Sequence, residues 1–132
     1  MSEILKNANN SLPGYFGGEI QYKNPVTKLL YTEGIRSIAQ NSNSYWFLDI
    51  IASYQLTLGK EYFQVWKLER EYSYTKTDGA KSVLHRKDCF NVTCDDGNGK
   101  ILVQQHIPFS DFEFDTYTVW CVDGVALLPI EY

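Results

Sequence analysis

The sequence predicts an α+β fold: a helical hairpin packed on one face of a four- to five-stranded antiparallel meander sheet. Three observations carry this. Ser44 to Gly59, SYWFLDIIASYQLTLG, is the longest apolar run and the one long enough to be a buried helix. From Glu61 onward the hydrophobic period falls from that of a helix to that of a strand. The helical stretches precede the strands, and such segregation is the mark of α+β rather than of alternating α/β order.

The chain has 132 residues, which fits a single domain over 1–132 with a core that needs no metal or disulfide staple. Ten Tyr, seven Phe and three Trp favour strands and packed aromatic clusters over a helical bundle.

Residues 1–25 read largely as loop with a short N-terminal helix, capped by Ser2 and carrying Ile4, Leu5 and Ala8 on its apolar side. Pro13, Gly14, Gly17, Gly18 and Pro25 break any longer element, and Leu12, Tyr15, Phe16, Ile20 and Tyr22 are expected to pin the loop to the domain. Lys28 to Tyr31 is a short strand. Thr32 caps a helix through Gln40 that bears Ile35, Ile38 and Ala39, and Asn41 to Asn43 end it. In the central helix Phe47, Ile50, Ile51, Tyr54 and Leu58 share one face; Tyr45, Ala52 and Leu56 on the other predict contact on more than one side. Gly59 is expected in the left-handed conformation after the last turn.

Glu61 to Thr75 alternates as one long strand, with Trp66 and Phe63 on different surfaces. Lys76 to Lys87, with Asp78 and Gly79, reads as a turn or irregular excursion, within which Val83 and Leu84 are candidates to extend the return strand. Asp88 to Cys94 and Lys100 to His106 are strands joined by DDGNG, a hairpin turn whose spacing does not meet an EF-hand loop. Ile107 to Phe114 is a crossover anchored by Ile107, Phe109, Phe112 and Phe114. Thr116 to Val122 and Val125 to Ile130 close the sheet through the two-residue turn Asp123 and Gly124, and Pro129 places the last strand end at or beyond an edge.

The blocks YTEGIRSIAQ, SYWFLDIIASYQ, EYFQVWKL, CDDGNGK, IPFSDF and LLPIEY occur in this order between Tyr31 and Tyr132. With their spacing, the chain resembles, over about residues 15–132, a family of small bacterial, plasmid and phage proteins catalogued as a domain of unknown function. The resemblance implies no activity. It implies a mobile-element setting, in which small inhibitors and regulators are common. The excursion from Thr77 to Arg86 is longer than the family's pattern.

A formal charge of −4, from 16 acids against 12 bases, argues against direct binding of nucleic acid. The basic residues Lys81, His85, Arg86 and Lys87 read as a solvated surface. Cys89, Cys94 and Cys121 are an odd count beside an amino terminus without a secretion signal, so a cytoplasmic protein with reduced thiols is expected. In an unbulged strand Cys89 and Cys94 point opposite ways, and with no CxxC pattern neither a metal nor a cofactor is expected. No apolar run reaches membrane-spanning length, so no membrane partner is expected.

GxSxG, HxxxH, HExxH and GxGxxG are absent, and a triad of Cys94 or Cys121 with His106 and Asp111 has no motif behind it. Asp49 is the one charge in the central run. Its carboxylate either hydrogen-bonds loop amides, a Tyr or Arg36, or forms the floor of a cleft edged by Tyr45, Trp46 and Ser53. The aromatic surplus leaves several of Tyr15, Tyr22, Tyr45, Tyr72, Tyr74 and Tyr117 near the surface, which suits protein interfaces. The candidate binding residues are therefore Tyr45, Trp46, Asp49, Ser53, Tyr72 and Tyr74. They point to a non-catalytic protein-interaction module, such as a mobile-element or phage accessory or inhibitor acting on a host protein, with a homodimer through the edge of the Glu61 to Thr75 strand as a further arrangement. The alternative is a small-molecule-binding domain or minor enzyme with a cleft between helices and sheet.

Overall fold

The computed structural model describes residues 6–11, 20–24, 28–76 and 82–132. Strands β1 (Ile20–Lys23) and β2 (Leu30–Thr32) precede the helices α1 (Glu33–Ser42) and α2 (Tyr45–Leu58). Five more strands follow: β3 (Phe63–Lys76), β4 (Ser82–Asp95), β5 (Ile101–Ile107), β6 (Thr116–Val122) and β7 (Val125–Leu127). Short 3-10 turns at Ala8–Asn10 and Pro129–Glu131 flank the domain. The sheet has seven strands in the order β1-β2-β7-β6-β3-β4-β5.

This order corrects the expected four- to five-stranded antiparallel meander. The α+β class stands, but the sheet is mixed, because β7 pairs parallel with β2 through Leu30 with Val125 and Tyr31 with Ala126. The meander fails at a second place. After β5 the chain does not pair beside it; the crossover carries β6 to the far side of β3, where Phe63 pairs with Val122 and Glu69 with Thr116. The expected edge strand is thus interior over that length, and β5 and β1 are the sheet's two edges. β7 is interior as well, and Pro129 lies beyond its end.

The two ends of α1 follow from local chemistry, whereas Ser44 makes no side-chain capping bond to α2. The Thr32 hydroxyl accepts from the Ile35 amide at 3.4 Å, and Asn43, at φ 53°, closes α1 in the left-handed region that asparagine tolerates. The Ser44 hydroxyl is buried against that of Ser42 at 2.7 Å. Gly59 departs from expectation: it is right-handed, with φ −60° and ψ −15°. Glycine suits it because an added Cβ would lie 2.9 Å from the Gln55 carbonyl oxygen.

The core lies between α1 and α2 and one face of the sheet. Phe47, Ile51, Trp66, Leu68, Phe90, Val92, Val119 and Cys121 are fully buried there. Phe47 meets Tyr117 at 5.5 Å between ring centres and Tyr54 meets Trp66 at 5.8 Å. On the other side of α2 the residues divide: Ala52 is buried at 2%, while Tyr45 and Leu56 are 40% and 96% exposed. Tyr117 is in the core rather than near the surface. Of the crossover anchors, Phe112 is buried but Phe109 is 71% exposed.

A buried polar node locks the crossover to β3. The Arg70 guanidinium donates to Asp115 Oδ1 at 3.0 Å, to the Lys87 carbonyl at 2.6 Å and to the Phe112 and Phe114 carbonyls at 2.5 and 3.1 Å. Asp115 also accepts from the Lys6 amide at 2.9 Å and from Arg86 at 3.0 Å. Burial pushes the Asp115 carboxyl up, but the Lys6 amide, Tyr72 and Arg86 outweigh it and hold it below the ordinary value.

Two turns behave as the residues predict. Asp123 and Gly124 have φ 50° and 79°, the two positive angles of a tight hairpin. In DDGNG, Asp95 accepts from the Gly97 amide and Asp96 from the Asn98 and Lys100 amides, so the carboxylates serve the turn itself. The first residues of the expected N-terminal helix, the loop anchors Leu12, Tyr15 and Phe16, and the turn residues Asp78 and Gly79 lie outside the described residues.

Candidate functional site

The residues marked by sequence fall into separate groups. Tyr45, Asp49 and Ser53, spaced by four, share the exposed side of α2. Asp49 accepts from the Asn24 amide group at 3.4 Å, while Arg36 is engaged elsewhere, with Glu33 at 2.7 Å. Trp46 turns inward and meets Phe112 edge-on at 6.4 Å. Tyr72 lies at the far half of β3, where burial first and Asp115 second push its hydroxyl up to about 12. Tyr74 is 71% exposed nearby on the same strand. The space between helices and sheet is filled by core side chains.

A groove that sequence reasoning did not single out lies on the sheet face turned away from the helices. Its volume is about 680 Å³. Val65, Thr118 and Trp120 form its floor, the turns holding Asn9 and Ile130 its two walls, and Lys67 and Asp95 its charged rim. The N-terminal wall is held where β7 stops short along β6: the Asn9 side chain accepts from the Thr118 amide and donates to its carbonyl, both at 2.7 Å. An asparagine side chain thus substitutes for a missing strand neighbour. At the other wall Trp120 packs against Phe63 at 5.0 Å and Tyr132 at 5.6 Å, and Ile130 and Tyr132 remain 64% and 70% exposed. The strand alternation put Phe63 and Trp66 on opposite faces; the missing piece was that neither α1 nor α2 covers the Phe63 face.

Further along that same face, Glu71 of β3, Cys89 of β4 and His106 of β5 come together. The Cys89 thiol donates to Glu71 Oε2 at 2.7 Å, and His106 Nδ1 is 3.7 Å from the same oxygen. Asn91 donates to Glu71 Oε1 at 3.2 Å and places its own oxygen 3.3 Å from His106 Nδ1. The carboxylate pushes the Cys89 thiol up, so in this arrangement it is a protonated thiol and a poor nucleophile. The triad of Cys94 or Cys121 with His106 does not form. Both thiols are fully buried, and burial pushes them up to about 12 and about 11.

Among the described residues no helix is long and apolar enough to cross a membrane. In comparisons with known proteins, one family model, described as a family of unknown function, matches residues 6–132. No curated protein and no solved structure matches the chain.

Proposed function

The chain belongs to that family of unknown function, DUF6876, and from this premise we propose that it is a non-catalytic protein-interaction module. Its partner is a protein that lays an extended segment, with an apolar side chain pointing down, into the groove over Val65 and Trp120. The observation that carries this reading is the pair of exposed side chains Ile130 and Tyr132 beside the half-buried Phe63 and Trp120, on the sheet face opposite α1 and α2. Aromatic and branched apolar anchors supply most of the energy of protein interfaces, and Lys67 and Asp95 give a peptide backbone a donor and an acceptor at the rim. The free thiols Cys89, Cys94 and Cys121 favour the cytoplasm as its place of work. A role as an accessory or inhibitor protein of a mobile element, acting on a host protein, is part of this proposal and rests on the family resemblance.

The test is photo-crosslinking in cells from a probe placed at Ile130, with a probe at Leu56, which is more exposed still, as reference. A protein captured from Ile130 and not from Leu56, and released by Ile130→Asp in a chain of unchanged melting temperature, supports the groove. Equal capture from both positions, or capture that survives Ile130→Asp, overturns it.

A further inference from the structure

We propose that Glu71, Cys89 and His106 are the ligands of a divalent transition-metal ion of the zinc type, held on the uncovered face across β3, β4 and β5. Their donor atoms, one carboxylate oxygen, one sulfur and one ring nitrogen, all lie within 4.8 Å of one another. With zinc bonds of about 2.0–2.3 Å at a tetrahedral angle, ligand atoms sit roughly 3.4–3.6 Å apart. The Glu71 to His106 distance of 3.7 Å is already close to that, and the Cys89 thiol proton faces Glu71 Oε2 across a 2.7 Å contact, closer than is usual for a sulfur donor. Replacing that proton by the ion opens the contact by less than 1 Å, with one S–H bond broken, one S–metal bond formed and the proton released to water.

The donor set selects the metal. Thiolate and imidazole favour zinc and its neighbours over magnesium and calcium, which take oxygen alone. Asn91 supplies the supporting contact, holding Glu71 by its other oxygen so that Oε2 faces the thiol. The cluster sits beside the register irregularity between Arg70 and Tyr72, where β4 carries extra residues against β3; such bulges re-aim side chains. Lys87 is the other charge acting on Glu71 and Cys89, and it lowers both. His106 and Glu71 keep 52% and 32% of their side chains exposed, so the ion has an entry path and a fourth position open to water. The site is independent of the groove reading, since none of its three ligands lines that groove.

Cobalt(II) titration of the full-length, metal-stripped protein tests it. The expected result is one equivalent per chain, with a near-ultraviolet thiolate-to-cobalt charge-transfer band and the visible bands of a tetrahedral site. Cys89→Ser removes the charge-transfer band, His106→Gln and Glu71→Gln each weaken binding at least tenfold, and Asn91→Ala weakens it about 10- to 100-fold. Magnesium does not compete, and zinc does. Zinc also raises the melting temperature of the parent protein and not of Cys89→Ser. A folded parent that shows no charge-transfer band, or a band that persists in folded Cys89→Ser, overturns the assignment.

Discussion

The hydroxyl of Thr32 donates to Oε1 of Glu131 at 2.7 Å, joining the start of α1 to the last turn of the chain. Both residues are buried, and the same oxygen accepts from the Leu128 amide at 2.8 Å. Gly34 closes the contact from the helix side, since an added Cβ would lie 2.8 Å from a Leu128 methyl and 2.9 Å from the Glu131 carboxylate oxygens. Glu131→Ala leaves a buried hydroxyl and a buried amide unpaired and is expected to cost about 1–3 kcal/mol. Gly34→Ala overpacks the same contact and is expected to cost a similar amount, about 1–3 kcal/mol. Urea unfolding of the two variants measures both.

Arg70 and Asp115 keep 3% and 6% of their side chains exposed, so their pair is cut off from water. Removing either charge takes a charged partner from the node, while Arg86 remains on Asp115 and Asp88 remains 3.4 Å from Arg70; Asp115→Asn, which keeps the shape, and Arg70→Met are each expected to cost about 1.5–3 kcal/mol. Because the node ties the Lys6 amide and the Phe112 and Phe114 carbonyls to β3, hydrogen exchange of the crossover should accelerate in both variants.

Stability should fall at both ends of the pH scale. Hydrogen bonds from Arg36 and Tyr22 hold the Glu33 carboxyl down at about 2 from 4.5, and Asp115 is also depressed. A depressed acid stabilises the fold above its unfolded value, and that contribution is lost as pH falls from about 4.5 towards 2. Cys94 and Cys121 are raised from 9.0 to about 12 and about 11. Their neutral thiols favour the fold below pH 9.0, and this is lost as pH rises through those values. Melting temperatures from acid to alkaline pH should form a plateau bounded by these windows; Glu33→Gln should flatten the acid side.

Asp49 sits exposed on α2, with a contact of 3.4 Å to Asn24. Asp49→Ala is therefore expected to change stability by no more than about 0.5 kcal/mol, the range of exposed surface substitutions. Thermal melts against the parent chain measure it, and a loss of several times that size would show a structural duty not visible in its contacts.

Thiol labelling separates the cysteines. Cys89 is half-buried and should react slowly in the native state, restrained by the proton it shares with Glu71, while Cys94 and Cys121 should react on unfolding alone. Glu71→Gln should speed labelling of Cys89 and leave the other two silent.

What the sequence determined by itself is what short-range chemistry controls. Helical spacing set the span and inner face of α2, Thr32 and Asn43 set the ends of α1, and the positive φ angles of Gly97, Gly99, Asp123 and Gly124 set two hairpins. Alternation along β3 sent Trp66 inward and Phe63 outward. Tertiary structure decided the rest. A three-residue strand such as β2 or β7 is too short to show a period, so its parallel partner is found in space and not along the chain. Polar residues carry no period either, and whether Arg70 meets Asp115, or Cys89 meets Glu71 and His106, depends on the register of strands that lie far apart in sequence. The side of the sheet that α1 and α2 leave uncovered follows from where they come to rest, and with it the place of the groove.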